Sequence, residues 1–278
     1  MSQLEHLRPE DVNRMTYNEL IAIVRETNRP PGGRKSLLSI AQKTRLGQGQ
    51  RVLEIGTATG FSAIELSRYT RARIHAIDLN PLSIQEAQRR AHLHRAALDI
   101  TFEIQDATNL SFADETFHLV LCGNVTSLIT NRSKALAEYI RVLKPDGYVA
   151  AIPMYYLQPP PPEVVSNVSQ AIGVDIEVHY RNYWMNFFVE PPLEIFDIED
   201  YHFDKISPET VETFVLEITS RPHLNAMPNT TRATLVERYT AMMELFRVNL
   251  SYMGFSILLL RKESEPTEPE LFTSSILR

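Results

Sequence analysis

The segment from Leu53 to Phe61 constrains the fold of this chain more than any other part of its 278 residues. It reads Leu-Glu-Ile-Gly-Thr-Ala-Thr-Gly-Phe, so an apolar strand enters a turn with two glycines and continues into a helical pattern. Glycine suits such a turn because a Cβ would block a positive φ or the close approach of a ligand. The segment predicts backbone N–H groups and a helix N-terminus that face a ligand at the carboxyl end of a sheet.

Short apolar strands alternate with helical segments along residues 51–152. This alternation is typical of βαβ units around a parallel sheet whose two faces are both covered by helices. We therefore predict an α/β, doubly wound fold. The predicted strands cover residues 52–55, 73–77, 100–105, 117–122 and 148–152, and the predicted helices between them cover residues 61–69, 81–95 and 133–143.

Helical patterns also occur on both sides of this alternating region. Helices are predicted over residues 9–27 and 36–44, and another ends at residue 172 after four consecutive prolines. Farther along, the pattern predicts a strand over 193–206, helices over 208–219 and 231–249, and a last strand over 254–261. In an aromatic-rich stretch between these parts, we expect about two of four aromatic residues to pack in the core. These four are Tyr183, Trp184, Phe187 and Phe188.

Composition narrows the class of protein. Lys and Arg number 28 against 34 Asp and Glu, a formal net charge of −6, so we expect no nucleic-acid partner. The single cysteine, Cys122, excludes an intrachain disulfide and is interpreted as a buried residue of the fourth strand. The first residues lack an apolar signal region, and no apolar stretch reaches the roughly 20 residues that span a bilayer. We therefore expect a soluble cytoplasmic protein without a membrane span.

Acidic residues close two of the predicted strands. Asp78 lies 22 residues after Gly56, where its carboxylate can accept hydrogen bonds from ribose hydroxyls, and Asp106 can reach an adenine amino group. The carboxyl ends of parallel strands meet at one edge of the sheet, so these groups suit an adenosine-type ligand. The alternative interpretation is that Asp78 caps the helix that begins near Pro81.

Taken together, these residues resemble the class I S-adenosylmethionine-dependent methyltransferases, of the small-molecule type that includes the ubiquinone/menaquinone methyltransferases. Glu54, Gly56 and Gly60 match the acid and two glycines of the family's first motif, with Ala58 at its middle glycine. The sequence Leu-Lys-Pro-Asp-Gly at residues 143–147 matches the turn before the family's fifth strand.

The resemblance implies a single domain with a seven-stranded, Rossmann-like sheet that is mostly parallel and has an antiparallel last strand. N-terminal helices form a cover over residues 1–47, residues 48–153 bind the cofactor, residues 154–262 cover the substrate, and residues 263–278 form a tail. A helical insertion over residues 208–249 precedes the last strand. It is expected to cover the substrate pocket, to form a homodimer contact, or to pack onto the domain's own core.

The resemblance also implies S-adenosylmethionine as cofactor, S-adenosylhomocysteine as product, and no metal. In the family pattern Asp78 binds the ribose, Asp106 and the backbone of Ala107 contact the adenine, and Leu79 stacks on it. An N-terminal aromatic, for which Tyr17 is the candidate, covers the methionine part of the cofactor. The full set of expected cofactor-binding residues is Tyr17, Glu54, Gly56, Thr57, Gly60, Asp78, Leu79, Asp106, Ala107 and Asn124.

The implied activity is methyl transfer to an O, N or C atom of a small-molecule acceptor. His179, Tyr183 and His223 are the candidates for a catalytic base. The fourth strand is not followed by the Asp/Asn-Pro-Pro-aromatic motif of nucleic-acid amino methyltransferases, nor by an Asp that would join a metal site. Two alternatives stay open. One is a protein of this fold that binds the cofactor without catalysis, and the other is an NAD-dependent dehydrogenase, which would need glycine at positions 58 and 61.

Overall fold

A computed structural model describes residues 3–94 and 98–263 of the chain. These residues form one eight-stranded sheet with the strand order β3-β2-β1-β4-β5-β8, in which β6 and β7 also pair with β8. The strands are β1 (Arg51–Ile55), β2 (Arg73–Asp78), β3 (Ile100–Ile104), β4 (Phe117–Leu121), β5 (Leu143–Ala151), β6 (Met154–Tyr156), β7 (Leu193–His202) and β8 (Met253–Lys262).

The sheet is parallel from β3 to β5, and β8 runs antiparallel to β5, β6 and β7. This arrangement confirms the predicted doubly wound sheet with an antiparallel last strand. The predicted number of seven strands is corrected to eight, because Ile152 and Pro153 interrupt the strand that continues from β5 into β6 along the same edge of β8. The Pro153 carbonyl accepts a hydrogen bond from Ser256 of β8 at 3.2 Å.

Ten α-helices accompany the sheet in the described part of the chain. They are α1 (Pro9–Arg14), α2 (Tyr17–Ile23), α3 (Gly33–Lys43), α4 (Phe61–Thr70), α5 (Pro81–His92), α6 (Arg132–Val142), α7 (Pro162–Ile172), α8 (Arg181–Phe188), α9 (Pro208–Thr219) and α10 (Asn229–Leu250).

Three predicted helices differ clearly from the structure. The helix predicted over residues 36–44 is α3, which begins at Gly33 and ends at Lys43. The single helix predicted over residues 9–27 is two helices, because Thr16 and Glu19 form a capping box that starts α2 afresh. The helix predicted over residues 81–95 ends at His92, and residue 95 lies outside the described residues. The predicted tail, apart from Glu263, also lies outside them.

A hydrophobic core lies on each face of the sheet. On one face, α3 and α4 pack against sheet residues such as Val52, Ile74 and Leu259. On the other face, α6 and α8 pack against Leu53, Val120 and neighbouring residues. These layers leave the carboxyl edge of the strands as the place where loops can form a site.

A third hydrophobic core contains no strand residue, and we call the four helices α1, α2, α9 and α10 around it the helical cap. The N-terminal helices and the insertion thus pack mainly on each other, whereas α3, also within the predicted N-terminal cover, packs on the sheet. The buried residues of the cap core are Val12, Leu20, Ile21, Val24, Val211, Val215, Ile218, Leu224, Met227, Leu235, Tyr239 and Met242.

Cationic side chains hold the two halves of the cap together through backbone carbonyls. Arg221 donates to the carbonyls of Val24, at 3.0 Å, and Arg25, and Arg238 donates to two carbonyls at the end of α1. Positive charge at the carboxyl end of a helix is stabilising because the last carbonyls carry partial negative charge. No helix among the described residues is both long enough and apolar enough to cross a membrane.

Candidate active site

The glycine-rich turn between β1 and α4 takes up the backbone conformation that its sequence predicts. Gly56 and Gly60 have φ angles of +69° and +82°, and Ala58 between them also has a positive φ of +47°. A Cβ on Gly56 would lie 2.5 Å from Cγ2 of Val125, and one on Gly60 would lie 2.8 Å from Cβ of Ala87. Both glycines are therefore required by their φ angle and by close packing.

Asp78 ends β2 beside this turn and is bound by backbone N–H groups. Its Oδ2 accepts a hydrogen bond from Ala58 N at 2.8 Å, and its Oδ1 accepts one from Asn80 N at 2.9 Å. A carboxylate offers about four acceptor positions, so others are available to a ligand. Burial raises the pKa of Asp78, and the backbone hydrogen bonds oppose that rise.

Asn80, and not Asp78, caps the following helix. Its Oδ1 accepts hydrogen bonds from Leu82 N at 2.8 Å and Ser83 N at 3.1 Å at the start of α5. The alternative interpretation of Asp78 as the helix cap is therefore wrong, since the neighbouring asparagine already satisfies those N–H groups.

An exposed apolar side chain and a second carboxylate lie next to Asp78. Leu79, which directly follows the buried strand β2, is 68% exposed. Asp106 follows β3 and is exposed, and its Oδ1 accepts a hydrogen bond from Thr108 N at 2.8 Å, while Ala107 is buried. Adjacent strand ends thus present carboxylate oxygens and an apolar surface, a combination that suits a nucleoside.

Glu54 and Thr57 lie beneath the turn. The Thr57 hydroxyl donates to Glu54 Oε2 at 2.7 Å, and both residues are buried. Burial raises the pKa of Glu54 to about 7, and the nearby Asp78 carboxylate adds to the rise. Of the expected cofactor-binding residues, these two hold the turn in shape from inside the protein.

Two further residues that were expected to bind the cofactor, Asn124 and Tyr17, make different contacts within the protein. Asn124 Oδ1 accepts a hydrogen bond from Met154 N at 2.9 Å, which ties the end of β4 to the start of β6. Tyr17 lies in the helical cap, with its ring edge-to-face on Phe246 at 5.6 Å. Burial and the Glu26 carboxylate both raise the pKa of Tyr17.

The helical cap touches the glycine-rich turn through Thr59. The Thr59 hydroxyl donates to the Glu26 carbonyl at 2.9 Å and accepts from Asn28 N at 3.3 Å. The Glu26 carboxylate in turn accepts a hydrogen bond from the Tyr239 hydroxyl of α10, and burial raises the pKa of Glu26. This junction, which no sequence motif indicates, links the cap to the glycine-rich turn and the strand ends at Asp78 and Asp106, which we call the ligand edge.

A second group of polar residues, which we call the His179 cluster, consists of Arg132, Glu177, His179 and Tyr183. His179 Nε2 lies 2.9 Å from Glu177 Oε2, and the His179 ring stacks on Tyr183 with centroids 3.5 Å apart. Arg132 Nη1 lies within 3.3 Å of all three partners. The structure therefore joins two of the three candidate bases and adds Arg132 and Glu177, which no motif in the sequence indicates.

Two buried N–H groups around this cluster have no hydrogen-bond partner in the described part of the chain. They are Nε of Arg132 and Nε1 of Trp184, whose ring lies 5.7 Å from the Arg132 guanidinium. A buried N–H without a partner costs about 1–3 kcal/mol, and folded proteins contain few such groups. Trp184 and Phe188 are buried, as predicted for about two of the four aromatic residues.

The third candidate base, His223, lies in the helical cap. Its Nε2 is 2.9 Å from the Ile23 carbonyl at the end of α2, and burial lowers its pKa. This position gives His223 a role in joining the two halves of the cap. Cys122 is fully buried as predicted, and burial raises the pKa of its thiol to about 12.

Among the described residues, His, Cys, Asp and Glu do not gather anywhere into a group of three or more that could hold a metal ion. The candidate site consists of two polar regions, which are the three strand ends around Asp78 and the His179 cluster. Both lie beyond the carboxyl ends of strands of the same sheet.

The part of the chain that matches known protein families contains the first of these regions, the three strand ends around Asp78. A family model described as "Methyltransferase domain" matches residues 52–147, so the part of the chain that contains the glycine-rich turn and the two acids is similar to methyltransferases. The ubiquinone/menaquinone biosynthesis C-methyltransferase of Desulfotalea psychrophila is 38% identical over 102 residues, 36% of this chain and 39% of that protein. The chain thus matches well under half the length of this curated relative.

Two solved structures share the fold over most of the chain. The MccD protein has a TM-score of 0.70 and 22% identity, over 85% of this chain and 100% of that one. The [4+2]-cyclase SpnF has a TM-score of 0.67 and 17% identity, over 89% of this chain and 96% of that one. At these identities the likeness shows the fold alone.

Proposed function

We propose that this chain is a class I S-adenosylmethionine-dependent methyltransferase that transfers a methyl group from S-adenosylmethionine to a small-molecule acceptor. The observation that carries the proposal is the Asp78 carboxylate. It is held by Ala58 N and Asn80 N, it does not cap α5, and the exposed Leu79 lies beside it. Ribose hydroxyls fit the remaining acceptor positions, and a purine ring fits the leucine surface.

In this proposal the chain binds and orients both reactants. Asp78 accepts hydrogen bonds from the ribose, Leu79 packs on the adenine, and Asp106 with the Ala107 backbone contacts the adenine edge. When bound, S-adenosylmethionine supplies a methyl carbon on a positively charged sulfur, which leaves as a neutral thioether. Since this chemistry is an in-line displacement, holding the acceptor atom in line is the largest task of the protein.

A dinucleotide-dependent dehydrogenase is disfavoured by the same turn. Its fingerprint needs glycine at positions 58 and 61, where the chain has Ala58 and the buried Phe61. The antiparallel β8 also departs from the six parallel strands of that fold. A protein that binds the cofactor without methyl transfer remains the alternative, because a cyclase shares this fold.

Calorimetric titration with S-adenosylhomocysteine tests the binding part of the proposal. We expect Asp78→Ala to weaken binding by about tenfold or more, and Asp106→Ala to weaken it less, since one adenine hydrogen bond is worth about 0.5–1.5 kcal/mol. Asp99→Asn is the matched control, because this exposed aspartate pairs with Arg73 at the amino end of β3. Unchanged affinity in Asp78→Ala, or tight binding of NADH, would overturn the assignment.

A further inference from the structure

The contacts of His179 determine which of its ring nitrogens carries the proton. Two groups lie near His179 Nε2: Glu177 Oε2 at 2.9 Å, which only accepts hydrogen bonds, and Arg132 Nη1 at 3.3 Å, which only donates them. The shorter contact is the hydrogen bond, so Nε2 carries the proton of the neutral ring and the longer Arg132 contact acts through its charge. Nδ1 then keeps a free lone pair, and it has no hydrogen-bond partner within residues 3–94 and 98–263. The side chain is 18% exposed, so a small molecule can approach it.

The charges around the ring favour its neutral form. The ionisable groups that face it are Glu177 on the same segment, Arg132 on α6 and Tyr183 on α8. Burial lowers the pKa of His179 and the Arg132 guanidinium lowers it further, while Glu177 opposes both. A neutral imidazole with one tautomer held by a carboxylate is the usual arrangement of a general base.

The His179 cluster lies at the same edge of the sheet as the glycine-rich turn. The His179 carbonyl accepts a hydrogen bond from Tyr156 N at 2.9 Å at the end of β6, and Arg132 donates to the Ser127 carbonyl just beyond β4. Large apolar side chains are exposed on the segments that carry these contacts. They are Leu128, Leu157, Val178, Tyr180 and Tyr183.

We propose that His179 is the base that removes the proton from a hydroxyl group of an apolar, phenol-like acceptor; this inference rests on the proposed methyl transfer. The acceptor O–H bond breaks and its proton goes to Nδ1. The oxygen electron pair forms the new bond to the methyl carbon, and the carbon–sulfur bond breaks with its electrons left on sulfur. The imidazolium then returns the proton to solvent. Glu177 and Arg132 act through His179 as positioning residues.

A series of substituted phenols of graded acidity tests the base directly. Each phenol is incubated with S-adenosylmethionine and the full chain, and release of S-adenosylhomocysteine is measured. We expect His179→Asn to lose about 10²- to 10⁴-fold in rate on weakly acidic phenols and progressively less on phenols already ionised at the assay pH. An equal loss across the series, or no turnover of any phenol by the unmodified chain, would overturn the proposal.

Calorimetry on the same proteins separates this inference from the proposed function. His179→Asn is expected to bind S-adenosylhomocysteine as tightly as the unmodified chain. If both proteins bind it but no phenol reacts, the hydroxyl acceptor is wrong and the cofactor assignment stands. If neither binds it, the proposed function fails, and the base with it.

Nuclear magnetic resonance of the histidine rings gives a readout that needs no acceptor. We expect the Nε2-protonated tautomer for His179, a higher His179 pKa in Arg132→Leu, and a lower one in Glu177→Gln, because these variants remove charges of opposite sign. Glu177 is 64% exposed, so its variant keeps the test valid if Arg132→Leu does not fold. His223→Asn is the control and should leave the His179 titration unchanged. An Nδ1-protonated ring, or a raised pKa in Glu177→Gln, contradicts the proposal.

Discussion

The ligand edge of the sheet and the helical cap are built in different ways. At the ligand edge, residues close in sequence make the site: Ala58 binds Asp78 and Asn80 caps the next helix. In the cap, helices from opposite ends of the chain share a core, and Arg221 binds carbonyls 196 and 197 residues away. Local rules of strand, turn and helix therefore determine the first region, whereas the second depends on packing between distant segments.

This difference predicts that the two regions respond separately to lost packing. Leu53 lies in a sheet core and Leu235 in the cap core, and both are fully buried. Each substitution by alanine is expected to cost about 2–5 kcal/mol, from lost burial and the cavity that remains. Hydrogen exchange should show the loss in Leu235→Ala within α1, α2, α9 and α10, and the loss in Leu53→Ala across the sheet. If Leu235→Ala lowers the hydrogen-exchange protection of β1 and β4 as much as that of the cap helices, the two regions do not respond separately.

The buried Glu54 beneath the glycine-rich turn predicts a pH effect on the sheet region. Burial raises the pKa of Glu54 from 4.5 to about 7, so the folded chain binds more protons than the unfolded chain between these values. Stability therefore falls as pH rises through this window, by on the order of 3 kcal/mol in total. Denaturant unfolding at several pH values checks this expectation.

The control for this effect is Glu54→Gln, which keeps the size of the side chain and removes the titrating group. The variant should lose the part of the pH dependence that lies between about 4.5 and 7. A difference between the two proteins that stays constant across this window would mean that Glu54 has the same pKa in the folded and the unfolded chain, and would contradict the raised pKa.

Alanine variants of Gly56 and Gly173 are expected to show the smallest effect. Gly56 lies in the ligand edge, and Gly173 is the comparison position. Their φ angles are alike, +69° and +71°, but a Cβ on Gly56 meets Val125 at 2.5 Å and a Cβ on Gly173 meets nothing within 4 Å. Both alanine variants carry the backbone strain, and Gly56→Ala adds crowding of about 1–3 kcal/mol. Thermal unfolding of the two variants measures the difference. Equal destabilisation would show that the turn has room for a side chain.

Much of the ligand edge could be predicted because its signals lie in short stretches of sequence. The apolar strand before Gly56, the acid at Asp78 and the proline that begins α5 each act within a few residues. Two further features there are equally local: Asn80 supplies the cap of α5, and Ile152 with Pro153 separate β6 from β5, which adds the eighth strand.

The His179 cluster could not be predicted to the same depth. Arg132 and Glu177 lie 45 residues apart and meet only because α6 and the segment before α8 pack on one face of the sheet. Periodicity indicated apolar faces for α9 and α10 but not their partner, which is the pair of N-terminal helices. Such contacts depend on how elements pack, and no residue pattern within either element specifies them.

Hydrogen exchange of the unmodified chain with and without S-adenosylhomocysteine tests the central claim most directly, because it reports where the ligand binds. We expect new protection at residues 56–60, 78–80 and 106–108, the three strand ends that hold the cofactor in the proposal. Protection confined to β6 and β7, or none at a concentration that saturates the calorimetric signal, would contradict it.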